Sequence, residues 1–387
     1  VAAAIASFLA LGREAALMWS AQSALRPLIA ALEAIDDFTI AGFPYEGLKS
    51  RPVSKEASSG LLPIRPDGIV GNEAYLEAGL RLARDVAGYD FELERNPKQL
   101  NPVLFGLGRP GCGKTVTAHA VGNAFLDFCK EREIPAKFVV IQRTDWASSY
   151  QNASALNLVK IFREEIYGFD GVCGVYWPDI DTAFASRESG QLRSEEKQNL
   201  GAVFGIFDGT LLPKDGKWFL ICDANTLHMD EATVSRIAQN PMTVEGPRSV
   251  SDYVTLMRDL LLKDLAGYLL LDEQEWARVG ARCVELDLSG RNVEAICGNV
   301  RAHVQDFEYP DAYFSATAEA RAAMISELSR RAREDDVMRF IEEWASWKQD
   351  ASTRAEEERF EREVSSLVRR LNASRLATAM TALPAEE

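Results

Sequence analysis

Histidine is scarce in this chain: only His119, His228 and His303 occur, and none stands at metal-ligand spacing from a cysteine. A zinc site is therefore not expected. The six cysteines, at 112, 129, 173, 222, 283 and 297, form no C-x-x-C pair and fall in segments that read as buried strands and helices. They read as reduced core thiols of a cytoplasmic protein. Basic charge is in deficit, 43 Lys and Arg against 58 Asp and Glu, for a net charge of −15. That balance works against attraction to nucleic acid or anionic lipid, and no basic cluster offsets it. Long apolar runs are also missing. Val1 to Gly12 ends at Arg13 and Glu14, too short for a membrane span, and no basic segment precedes it as in a secretory signal. An amphipathic packing helix is the expectation there, and a start on Val rather than Met is expected of either a fragment or an unusual start codon.

What is present is a phosphate-binding loop. Gly108-Arg-Pro-Gly-Cys-Gly-Lys114-Thr115 fits G-x-x-x-x-G-K-[ST] and directly follows the apolar run 103–107. A strand delivers such a loop and a helix starts at its end, so that backbone N–H groups converge on an anion. Arg109, Pro110, Gly111, Cys112, Gly113, Lys114, Thr115 and Val116 are the residues expected around the phosphates. Lys114 would reach the β- and γ-phosphates, and the Thr115 hydroxyl would hold Mg²⁺.

Around this loop, near-continuous apolar strands are predicted at 102–107, 137–142, 172–177, 217–222 and 242–245, with helices at 115–130, 155–167, 194–208 and 230–238. Such alternation means α/β architecture, a three-layer parallel sheet with its ligand at the carboxyl ends of the strands. Residues 1–45 read as helix and 46–66 as a linker rich in Pro, Ser and Gly. After 248 the pattern turns helical, and the last stretch is strongly charged. The division is a helical N-terminal region at 1–66, an α/β core at 67–247, a helical lid at 248–315 and a charged helical extension at 316–387.

From Asp67 to about Val304 the order of features resembles the AAA+ ATPases, in particular the AAA branch of hexameric protein-remodelling machines. Asp67-Gly-Ile-Val70-Gly71 is similar to the segment that lines the adenine pocket. The stretch 145–162 looks like a pore loop and its helix, with Tyr150 at the aromatic position and Asn152 where a glycine is common. Residues 175–187 resemble the Walker B strand, which normally ends in Asp-Glu; Pro178 stands at the Asp position and Asp179 at that of the catalytic Glu. Asp181 or Asp179 is then the carboxylate expected to compensate through a water ligand of the metal, and Asp223 the alternative if the register differs. Asn225 corresponds to sensor 1, Arg236 to the arginine finger that reaches a neighbouring subunit, and Arg291, after the N-cap candidate Ser289, to sensor 2 of the lid.

The resemblance implies a homo-oligomeric, hexameric ring that uses ATP and Mg²⁺ to remodel or unfold a protein client, with Lys114, Asp179, Asn225 and Arg236 in catalysis. The loss of a carboxylate at Pro178 supports a second reading, a nucleotide-dependent scaffold with little turnover. A DNA-associated loader from the same superfamily is the third, opposed by the acidic charge.

Overall fold

The computed structural model describes residues 38–40, 43–45, 60–146, 153–182, 204–210, 212–227, 229 and 231–381. The chain divides into two compact units, Val1–Leu61 and Leu62–Glu387. In the first, strands β1 (Phe38–Ile40) and β2 (Phe43–Tyr45) pair antiparallel. This corrects the helix expected over 1–45. Phe, Thr, Ile and Tyr favour a pleated surface, and Gly42 and Pro44 break a helix. The rest of that expectation and most of the linker lie outside the described residues, as do Tyr150, Asn152 and 194–203 of the expected helix.

The second unit is built on a five-stranded sheet of β3 (Val103–Leu107), β4 (Ala136–Val140), β5 (Val172–Trp177), β6 (Trp218–Ala224) and β7 (Pro241–Thr243). All pairs are parallel, in the order β4-β5-β6-β3-β7. Every residue of β5 and β6 is buried, which accounts for their nearly continuous apolar sequences, interrupted in β6 by Asp223: both faces are covered. Helices α1 (Glu73–Ala87) and α2 (Lys114–Lys130) cover one face, where Phe125 meets Phe219 at 5.1 Å and His119 meets Tyr176 at 5.6 Å. The short helix α3 (Arg143–Trp146) and α4 (Ala153–Lys160), which continues as π-helix Ile161–Tyr167, cover the other. There Trp146 and Phe162 pack on Trp177, and Phe162 on Trp218. Helix α5 (Glu231–Ile237) precedes β7.

The lid comprises α6 (Val250–Val254, continued by π-helix Thr255–Leu261), α7 (Glu273–Glu285) and α8 (Gly290–Val304). All three helices start at capping boxes, Ser249 with Asp252, Asp272 with Glu275 and Ser289 with Asn292, which satisfy N–H groups that a helix start leaves without partners. Helices α9 (Asp311–Ser315) and α10 (Ala318–Leu328) follow, then α11 (Glu334–Thr381), 48 residues or about 70 Å at the usual rise. The lid core does not stop at 315: Ala332, Val337 and Ile341 pack into the same cluster as Trp276, Ile296 and Val300. Beyond them Trp347, Phe360 and Leu367 are exposed. Among the described residues no helix is long and apolar enough to cross a membrane.

Candidate functional site

The loop between β3 and α2 is shaped by backbone that a side chain would not tolerate. Gly113 caps α2 in the left-handed region at φ 97°, and a Cβ there would lie 2.7 Å from the amide nitrogen of Asn72. That amide donates to the Cys112 carbonyl at 2.8 Å, and its oxygen accepts from the Gly246 N–H at 3.0 Å. Asn72 thereby bolts the loop to the chain leaving β7. Lys114 is buried, and its ammonium donates to the carbonyls of Gly108 (2.8 Å) and Arg109 (3.2 Å) and to Asn225 Oδ1 (2.8 Å). All three acceptors are neutral, so the loop concentrates a positive charge where backbone N–H groups converge.

A cavity of about 490 Å³ opens between this loop and the lid, a size suited to a nucleotide. Ile64, Ile69 and Val70 line it on one side and Leu256, Leu260 and Leu261 of the lid on the other, while 110–116, Asp179, Asn225 and Arg291 supply polar groups. The lid is tied to the loop at two points. Arg109 forms a bidentate ion pair with Asp287, one arm at 2.8 Å, and the Arg291 N–H donates to the Gly111 carbonyl at 3.3 Å. The pairing with Arg109 holds the Asp287 carboxyl below the usual range.

At the carboxyl ends of β5 and β6 a polar network replaces the apolar strand interior. Asp179 adopts φ 47°, a left-handed conformation uncommon for a residue with a side chain and frequent at functional turns. Its Oδ1 accepts from Asn225 Nδ2 at 2.9 Å. Asp181 Oδ2 accepts from the N–H groups of Asn225 (3.0 Å) and Thr226 (3.1 Å), while its Oδ1 is buried with no partner. Asp181 therefore shapes the turn that carries Asn225. Behind them, Asp223 accepts from the Tyr176 hydroxyl at 2.6 Å and the Asp179 N–H at 3.1 Å, and Tyr176 Oη lies 3.1 Å from Thr115 Oγ1. Burial pushes the Asp223 carboxyl up to about 6, against the opposing pull of its two hydrogen bonds and of Lys114. Burial likewise raises the thiols of all six cysteines.

Of the residues singled out in the sequence, Val70, Pro110 to Val116, Asp179, Asn225 and Arg291 share the cavity wall. Gly71, Arg109, Asp181 and Arg236 do not. Gly71, at φ 76°, lies against Gly246: a Cβ would stand 2.3 Å from its carbonyl oxygen. Arg236 pairs with Asp208 through Nε at 2.9 and 3.1 Å and lies 4.2 Å over the Phe204 ring. Sequence reasoning missed Asn72 and Tyr176. Asn72 directly follows the Val70-Gly71 segment, so a polar residue ahead of a predicted helix was the available signal; for Tyr176, inside a strand, there was none.

A parallel α/β sheet carrying this loop, with a helical lid over it, defines a P-loop nucleotide-binding protein. The family model for the ATPase family associated with various cellular activities (AAA) matches residues 104–242, and that stretch is an AAA ATPase domain. None of the curated proteins matches the chain.

Proposed function

We propose that this chain binds ATP with Mg²⁺ between its α/β core and its lid, and couples hydrolysis to remodelling of a protein client. One observation carries the reading. The Lys114 ammonium and the Asp179 carboxylate are both hydrogen-bonded to Asn225 on the wall of one cavity, the arrangement a phosphate group and its attacking water require. The base would sit between Ile69, Val70 and the lid leucines, and the phosphates against the N–H groups of 111–115. Lys114 would exchange a loop carbonyl for phosphate oxygen, a charge-assisted and stronger bond.

The donor set suits a magnesium ion shared with the nucleotide. Thr115 offers a hydroxyl oxygen beside the cavity, and Mg²⁺ is usually held by few protein oxygens together with substrate phosphates. Bound there, it would neutralise charge building on the phosphate oxygens. Asp179 would take the proton of a water attacking the γ-phosphorus as the bond to the departing ADP breaks, and Asn225 would hold that water in line. Arg236, on the core surface away from its own cavity, would complete the site of an adjoining subunit in a ring.

A scaffold that holds ATP and turns over little is the second reading, favoured by Pro178, which leaves β5 without a terminal carboxylate. Binding of a fluorescent ATP analogue and phosphate release, measured for the wild type, Lys114→Ala and Asp179→Asn, separate the two. The enzyme reading expects Lys114→Ala to lose binding and Asp179→Asn to keep it while losing release by about a hundredfold. Tight binding with no wild-type release would refute hydrolysis. Light scattering with and without ATP tests the ring.

A further inference from the structure

Strand β5 ends at Tyr176-Trp177, with Pro178 directly after it, and Trp177 is level with Cys222 of β6. Continuing that parallel register one residue places Pro178 level with Asp223. The carboxylate absent from the end of β5 is thus present one strand to the side, next to β3, which delivers the phosphate loop. Asp223 is 1% exposed and is not on the cavity wall, whereas Thr115 is. Tyr176 joins the two, with Oη 2.6 Å from Asp223 and 3.1 Å from Thr115. A phenol has one proton to donate. The shorter contact, to a carboxylate, takes it, so Oη accepts from the Thr115 hydroxyl. The chain of bonds runs Thr115 to Tyr176 to Asp223, and it turns the Thr115 lone pairs away from Tyr176.

We propose that Asp223 and Tyr176 together replace the carboxylate missing at Pro178: Asp223 is a positioning residue that, through Tyr176, orients the Thr115 hydroxyl to ligate the divalent cation of a bound nucleotide. The inference rests on the nucleotide-site reading above. It deepens that reading by assigning the metal side of the site to β6. A carboxylate at 178 would accept the threonine proton directly; here a tyrosine spans the extra strand width. The relay also explains a charged group inside an otherwise apolar strand, which would be costly without partners.

The test uses the full chain and Mn²⁺ as the cation, followed by its electron paramagnetic resonance signal at a saturating ATP analogue. Analogue binding in EDTA is measured beside it. Tyr176→Phe removes one oxygen and keeps the ring. It is expected to leave binding in EDTA within about twofold and to weaken Mn²⁺ binding about tenfold, the usual effect of one buried hydrogen bond. Asp223→Asn should weaken Mn²⁺ similarly, and the double variant should be no worse than Tyr176→Phe alone, because both act through one relay. A Mn²⁺ titration of Tyr176→Phe that superimposes on the wild type overturns the relay, as do fully additive losses. Failure of the wild type to bind the analogue at all overturns the nucleotide-site reading, and the relay with it.

Discussion

Replacing Asp223 by Asn should remove a calculable part of the pH dependence of the protein's stability. In the fold its carboxyl is raised from 3.8 to about 6, mainly because burial penalises the charged form. The groups facing it are Tyr176, Lys114, the Asp179 carboxylate and N–H, and Tyr75, whose buried hydroxyl has no hydrogen-bond partner. A raised acid binds a proton more tightly folded than unfolded. The native state is thus favoured at low pH and loses stability as pH rises from the unfolded value through the folded one. The difference between 3.8 and about 6 is worth about 3 kcal/mol, of which about 2 kcal/mol develops between about pH 4.5 and about pH 8. Asparagine carries no titration, but its one oxygen cannot accept from both Tyr176 and the Asp179 N–H, a fixed cost of about 1–2 kcal/mol. Asp223→Asn should therefore gain about 2 kcal/mol on the wild type between about pH 4.5 and about pH 8, its fixed cost shifting both ends alike. Urea unfolding in EDTA without nucleotide, followed by the fluorescence of the buried Trp177 and Trp218, reads the difference at each pH. A difference flat to within about 0.5 kcal/mol across that range would refute a raised, buried carboxyl.

The close approach at Gly71 makes Gly71→Ala costly. With φ at 76° and a Cβ 2.3 Å from the Gly246 carbonyl, a loss of more than about 2 kcal/mol in urea unfolding is expected, and one below about 0.5 kcal/mol would contradict the geometry. The Arg109–Asp287 latch is exposed, with side-chain accessibilities of 60% and 68%, so Asp287→Asn should cost no more than about 1 kcal/mol. Because the Asp287 carboxyl is lowered in the fold, its contribution is present above the ordinary carboxylate pKa and fades as pH falls through the folded value. Hydrogen exchange at the start of α8 should quicken by up to about fivefold in that variant, less so in high salt. Arg236→Ala should leave analogue binding unchanged and depress phosphate release by about a thousandfold if it serves an adjoining subunit. Unchanged release would reduce Arg236 to its local pair with Asp208.

The parts of the fold legible in the sequence were those carried by contiguous residues. Unbroken apolar runs such as 172–177 marked strands covered on both faces, and the G-x-x-x-x-G-K-T pattern marked a strand, a turn and a helix start together. The hairpin at 38–45 was hidden because three-residue strands are too short for alternation to compete with the helical spacing upstream. The lid core extends to Ile341 because a helix can bury its first turns and leave the rest in solvent, while composition averages over the whole. The cavity wall was legible where a motif prescribes backbone geometry, as at 110–116, and obscure where it depends on what lies across the sheet. Read along the chain, Pro178 is a missing carboxylate and Asp223 an acid at the end of another strand. They become one feature only when β5 and β6 are set side by side, since level positions on parallel strands are fixed by the crossover and by packing rather than by spacing in sequence. The same register gives Tyr176 its role. Its side chain shares the α2 face with Asp223, and its length, about one strand spacing, lets a residue two before the gap reach both Thr115 and the displaced carboxylate. A shorter side chain at 176 would leave the buried Asp223 with only the Asp179 N–H as donor, so Tyr176 and Asp223 are expected to be replaceable together more readily than singly.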